Sequence, residues 1–285
     1  MSVAETLPAP RRAGAVLAHV WAAARHHLLT VFALLALVYL LLPIAVVVAF
    51  SFNNPAGRFN YTWQSFTLDN WANPFGYPDL QGTVVLSLEI AALSTIAATV
   101  LGTLIALALV RYRFPGRAAT NLLIFLPMAT PEIVMGSSLL TLFLNRGFPL
   151  GFGTILIAHI MFNISYVVVT VRARLTGFDR HLEEAAMDLF ATPWTTFYRV
   201  TPPLISPGVL AAALLAFALS VDDFVITYLV SGSEQTFPLF VWGAARVATP
   251  PQINVIGSAI FFIAVLLMFL NVLVNWRRTP KGAAA

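Results

Sequence analysis

Four carboxylates fall inside apolar runs of this chain: Glu89, Glu132, Asp222 and Asp223. An ionisable group in a bilayer costs about 2.5–3.5 kcal/mol on insertion scales, so each needs a reason to be there. No lysine or arginine lies within those runs to neutralise them. A cavity lined by such groups has negative potential and favours cations, and that is the chemistry these residues could do. Counted along their helices, Glu89 and Asp223 sit roughly 10 Å inside a bilayer boundary. Glu132, directly after Pro131, sits nearer the middle. The plainer reading makes some of them interfacial or helix-end groups, or pairs them with hydroxyls such as Ser220 and Thr227. Enzyme chemistry finds little support. Asp222 and Asp223 are adjacent, so on a helix they point about 100° apart and cannot share one proton. Gly-x-Ser-x-Gly and His-Glu-x-x-His are both absent. The histidines, His19, His26, His27, His159 and His181, show no ligand spacing beyond one adjacent pair, and no metal is assigned to them.

The elements that must position these residues are membrane spans. Of 285 residues 59% are hydrophobic and 10% charged, where a soluble domain carries about 25% charge. There is no cysteine, which excludes disulfides and thiolate metal sites. The only lysine, Lys281, lies near the C-terminus, so no GxxxxGK[ST] phosphate loop can exist. Any ATP and Mg must therefore be bound by a different polypeptide, and this chain needs no cofactor.

Six spans are expected, near 28–50, 82–110, 118–144, 153–171, 207–230 and 253–276, within a permease domain covering 28–276. Pro127 and Pro131 should kink or break the third. Residues 1–27 form a lead; its Arg11-Arg12 resembles a secretory signal, but the apolar run after it has the full spanning length. Residues 51–81, rich in Asn, Gly, Pro and aromatics, suit the headgroup belt. A tail occupies 277–285. Thirteen basic residues fall in the lead, the 111–117 turn, the 172–206 loop and the tail, against Arg58, Arg146 and Arg246 on the other side. The positive-inside rule then puts both termini and the 172–206 loop in the cytoplasm. An even number of spans agrees. No inverted repeat is visible.

The 172–206 loop is organised around Glu183-Glu184-Ala185-Ala186-Met187-Asp188, followed by Ala191, Pro193, Trp194 and Phe197. Its composition predicts a short helix, a break at Pro193, and a second short helix with an apolar stripe at Trp194, Phe197 and Val200. Two short helices between spans invite a docking partner; the alternative is an idle loop. Glu183 and Asp188 read as solvated surface flanking that docking set.

Glu184-Ala185-Ala186, Ala191, Phe197, Val200, Pro203 and Pro207 resemble the EAA loop of ATP-binding-cassette (ABC) importer permeases. That family pattern has Gly where Phe190 stands and Leu where Pro202 stands; Gly there suits a tight backbone turn. The resemblance continues through Leu126-Pro127, Pro131-Glu132-Ile133-Val134, the run 165–175 and the run 217–227, which look like the C-type permease subunit of spermidine/putrescine importers. It implies an all-α, six-span type I importer fold, a second permease as partner in a heterodimer, two cytoplasmic ATPase subunits and an external substrate-binding protein. It places Glu184, Ala185 and Ala186 in an ATPase groove, with Trp194 and Phe197 packing the short helices against the spans. Glu132, Asp222, Asp223 and Glu89 then line a path for a polyamine or related cation. A carrier working alone, with titrating carboxylates, is the rival from another class; an inert membrane scaffold is a third.

Overall fold

A computed structural model describes residues 12–177, 179 and 181–278. Parts of the expected lead and tail, 1–11 and 279–285, together with Phe178 and Arg180, lie outside the described residues. Twelve helices make up nearly all the regular structure there, and an isolated β-bridge joins Asn53 and Phe66. They fall into two compact units.

The first unit holds residues up to 74 and from 250 onward. α1 (Arg12–Ser51) packs against α12 (Pro251–Arg278), and α2 (Asp69–Ala72) also touches α12. α1 begins well inside the lead, because residues 13–24 are rich in alanine, the strongest helix former. From Leu28 to Leu42 nearly every large side chain of α1 is exposed, as a face turned to lipid or to another subunit would be. The loop after α1 is tied by amides. Asn53 donates to the side chain of Asn60 at 2.7 Å, and Asn70 donates to the carbonyls of Ser51 and Asn53 at 3.0 and 2.9 Å. Phe52 stacks between Phe66 and Trp71 on the same loop.

The second unit, 75–249, is built on α3 (Leu80–Arg111), α6 (Phe152–Thr176) and α9 (Thr201–Asp222), each packed against the other two. Alanine and valine dominate one core cluster, with Ala98, Ala106, Val167, Val168, Val171, Ala212 and Ala216 almost wholly buried. Small residues let helices approach closely where lipid gives no hydrophobic drive. At Gly102 a Cβ would stand 2.6 Å from Cγ1 of Val167, so only glycine fits. A second cluster unites Ile90, Met135, Leu139, Phe143, Ile155, Phe162, Ile226 and Val230.

Between α3 and α6 the chain forms α4 (Arg117–Ala129) and α5 (Glu132–Asn145), bent by 109° at Thr130-Pro131. Pro131 lacks an N–H and pushes its predecessor out of helical geometry, so the expected third span is broken there. The remaining elements are α7 (His181–Asp188), α8 (Pro193–Arg199), α10 (Val225–Val230) and α11 (Phe237–Val247). Among the described residues four helical stretches are long and apolar enough to cross a membrane: His27–Ser51, Leu80–Arg111, Phe152–Thr176 and Pro193–Asp222. The α4–α5 pair makes a fifth if counted as one span.

The fifth expected span, 207–230, differs from expectation. α9 stops at Asp222, Asp223 is extended (φ −65°, ψ 119°), and helix resumes only at Val225. Asp222 and Asp223 are therefore not consecutive positions of one helix.

Candidate functional site

Two places in the second unit gather the residues singled out by sequence. The first is the corner made by α7 and α8. α7 ends in a Schellman motif: the N–H of Ala191 donates to the carbonyl of Ala186 and that of Phe190 to Met187, at 3.1 and 3.0 Å. Phe190 occupies the left-handed position of that motif, with φ 65°. The turn that glycine would make easily is thus kept, with a residue that strains in it. Thr192 caps α8 by accepting the N–H of Thr195 at 3.2 Å, and Pro193 fills the first position, where no donor is needed.

The corner has an inward and an outward face. Inward, Glu183 accepts hydrogen bonds from the Arg111 guanidinium at the end of α3 and from the Thr201 hydroxyl at the start of α9. Arg111 also donates to Thr201 Oγ1 at 3.1 Å. The Glu183 side chain is only 17% exposed, so it is not the solvated residue expected from its charge; it faces two long helices and finds the arginine there. Phe197 packs onto the alanine–valine core. Outward stand Phe190, 97% exposed, with Leu189, Trp194 and Tyr198. Trp194 was expected to pack inward beside Phe197. Instead it is 72% exposed, because positions 194 and 198 share the face of α8 opposite Thr196 and Val200. Glu184, Ala185 and Asp188 are exposed, and Ala186 and Ala191 half-buried. Among the described residues Glu184 meets the His181 ring alone, at 3.1 Å.

The second place is the break between α9 and α10. Oδ2 of Asp223 accepts the backbone N–H of Thr227 at 2.8 Å and its hydroxyl at 2.7 Å. Nε2 of His159, on α6, lies 3.2 Å from the same oxygen and 2.9 Å from Thr227 Oγ1. Since the single Thr227 hydroxyl proton goes to Asp223, Nε2 must carry a proton and donate. On the other side of the ring, Nδ1 lies 2.7 Å from Ser220 Oγ, which is 3.1 Å from Ser94 Oγ on α3; Ser94 donates on to the carbonyl of Ala91. The side chains of His159 and Asp223 are 3% and 6% exposed. Serine, histidine and aspartate in a row suggest a nucleophile. Here the serine is buried and engaged with Ser94, so the arrangement fastens helices.

The other carboxylates are open. Asp222, Glu89 and Glu132 are exposed, and Glu132 opens α5, where the helix dipole favours an anion. Among the described residues no three of these carboxylates gather closely enough to hold one metal ion, and Asp223 is withdrawn into the helix packing. His159 and Arg111 were missed by sequence reasoning. A histidine alone in an apolar run that also needs a partner for buried aspartate was the available signal for the first.

Comparison with known proteins gives the class of the chain. A family model described as binding-protein-dependent transport system inner membrane component matches residues 98–278. The chain is 35% identical over 252 residues to the spermidine/putrescine transport system permease protein PotC of Haemophilus influenzae, covering 88% of this chain and 97% of that protein. It is 37% identical over 235 residues to the putrescine transport system permease protein PotI of Escherichia coli, covering 80% and 83%. Among solved structures, a chain of a bacterial ABC transporter involved in the import of the acidic polysaccharide alginate superposes with a TM-score of 0.66 at 15% identity, over 92% of this chain and all of that one. A chain of the MetNI methionine ABC transporter does so with a TM-score of 0.56 at 15% identity, over 70% and 96%. At such identities these two show the fold alone, and that fold is the all-helical importer-permease one. The chain belongs to the inner membrane component family of binding-protein-dependent transport systems, as a multi-pass permease of the bacterial inner membrane.

Proposed function

We propose that this permease carries a polyamine of the spermidine/putrescine class, driven by ATP hydrolysed in partner subunits. The cargo class rests on relatives that are 35–37% identical over most of the chain and on carboxylates in apolar surroundings with no lysine or arginine beside them. The path is lined by Glu132, Asp222 and Glu89, with Asp223 behind them. Six spans cross the membrane, α12 with its 28 residues being the sixth, and both termini and the α7–α8 corner face the cytoplasm. The assembly holds a second permease, two ATPase subunits and an external binding protein.

The observation that carries this reading is the two-faced corner. Its inner side is fastened to α3 and α9 through Glu183, Arg111 and Thr201, while its outer side presents Leu189, Phe190, Trp194 and Tyr198. Exposed aromatics on a fastened support are what a docking surface needs. An ATPase that moves the outer face moves the ends of two spans with it.

The test is uptake of spermidine into proteoliposomes holding the complete importer. Uptake requires internal ATP and survives collapse of the proton gradient; the opposite dependence would make the chain a gradient-driven carrier. Glu184→Arg lowers uptake about tenfold or more, equivalent to at least ~1.4 kcal/mol of coupling, while hydrolysis by the ATPase persists. Full uptake by that variant overturns the coupling role of the corner.

A further inference from the structure

We propose that His159 is a positioning residue that divides the adjacent carboxylates between two tasks. It holds Asp223 inside the helix packing as the cap of α10, and so leaves Asp222 as the one carboxylate of the pair presented to cationic cargo. This rests on the reading that Asp222 lines the cargo path.

The division follows from the acceptor inventory. A carboxylate withdrawn from water must have its charge met by donors. Asp223 Oδ2 meets the Thr227 N–H, the Thr227 hydroxyl and Nε2 of His159 within 3.2 Å, and its side chain is almost fully buried. Oδ2 is thus committed to three donors, and a cargo ammonium reaches that oxygen only by displacing one of them. Asp222, one residue earlier, is exposed and has no partner among the described residues.

The backbone explains how neighbours come to differ. α9 stops at Asp222 and the chain runs extended through Asp223. Asp223 then turns inward and supplies the donor-hungry start of α10 with an acceptor. His159 reads this break from three sides, since Ser220 lies before it, Asp223 within it and Thr227 after it. Ser94 anchors the far end of the chain to α3. Loss of the ring leaves Asp223 short of a donor in the packed interior. The break is then free to re-form as helix, which rotates Asp222 off its present bearing. Other titratable groups do not complicate the site: no lysine, arginine or second histidine side chain contacts Asp223 among the described residues.

The experiment measures KM and kcat for spermidine uptake by the complete importer in proteoliposomes, with His159→Leu made in two backgrounds. In the Asp222 background, His159→Leu raises KM about tenfold or more, the loss expected when a charge-assisted contact is misplaced. In the Asp222→Asn background, where the contact is already gone, His159→Leu raises KM no further. His159→Gln, which keeps an N–H near the Nε2 position, restores KM to within about threefold of the parent, the size of one weakened neutral hydrogen bond.

A general loss of folding would lower activity in both backgrounds alike and would not be rescued in KM. If His159→Leu fails to assemble, Thr227→Val serves in its place: it removes one donor to Asp223 and one contact of Nε2 but keeps the ring beside Asp223, with a smaller KM rise that also vanishes with Asp222→Asn. An equal KM rise in both backgrounds, or no rise with either variant, overturns the proposal. If Asp222→Asn itself leaves KM unchanged, Asp222 is not on the cargo path, and the proposal falls with that reading.

Discussion

The chain interrupts its helices at Asp223 and at Phe190, and the two places solve opposite problems. At Asp223 a charged side chain is drawn inward and its acceptor oxygen is met by donors from α6 and α10. At Phe190 an apolar side chain is pushed outward, 97% exposed, on a backbone with φ 65°. A polar group buried with partners is held by the fold for the fold's own geometry. A large apolar group exposed on a strained turn gains nothing from the fold, as a residue kept for the proposed ATPase contact would not. One break is closed upon itself, and the other leaves its ring uncovered.

That contrast is broken most severely where the open corner meets the closed bundle. Glu183→Ala leaves the Arg111 guanidinium without its carboxylate and Thr201 without its acceptor. The expected loss is about 2–3 kcal/mol, below that of a fully buried pair because solvent still reaches part of each side chain. ATP-driven uptake should fall by more than tenfold while the spans remain inserted, because the corner no longer holds the ends of α3 and α9. Exchanging the charges, with Glu183→Arg and Arg111→Glu together, should recover part of that uptake. Proteoliposome uptake beside protease accessibility of the loop checks both variants. Normal coupling in Glu183→Ala would mean that the corner is held in some other way.

A smaller effect is expected inside the closed break. Ser220→Ala takes a hydroxyl from Nδ1 of His159 and from Ser94 at once, and each is left in dry surroundings. The cost is about 1–2 kcal/mol, read as a lower unfolding midpoint of the purified importer. Glu184→Ala at the open corner should leave that midpoint unchanged, since among the described residues Glu184 touches an exposed histidine alone. A midpoint unmoved by Ser220→Ala would show that the buried chain is not holding the helices.

What was legible in the sequence followed from composition and spacing. Apolar length gave α3 and α6 nearly whole, and Pro131 gave the break before Glu132. The two short helices of the loop were readable from Pro193 and from the acidic start of α7. What stayed hidden depended on partners distant in the chain. Glu183 looked like solvated surface because Arg111, 72 positions earlier, shows no local pattern linking it to the loop. Asp223 looked like half of an equivalent pair because periodicity continues through 207–230 while the backbone does not. His159 was judged for metal spacing, a test on sequence neighbours, when its neighbours are Ser220, Asp223 and Thr227. Trp194 and Phe197 are both aromatic at helical spacing, and only the packing of α8 on the core decides that one faces in and the other out.

The finest test of the contrast separates strain from contact at Phe190. A non-glycine residue in the left-handed region costs about 1–2 kcal/mol, and the exposed ring recovers none of this within the chain. Phe190→Gly should therefore raise the stability of the corner by about 1 kcal/mol, the remainder going to glycine's greater freedom when unfolded. The same change removes a ring from the outer face and should weaken attachment of the ATPase several-fold, as loss of an exposed aromatic anchor does. The two effects have opposite signs, which no purely structural role for Phe190 would produce. Phe190→Ala keeps the strain and loses the ring, so it should weaken attachment without the gain in stability. Hydrogen exchange of the α7 amides reads the first effect, and retention of the ATPase on the tagged permease reads the second. If Phe190→Gly tightens the turn and leaves attachment intact, the corner binds its partner through Leu189, Trp194 and Tyr198 without the ring at 190.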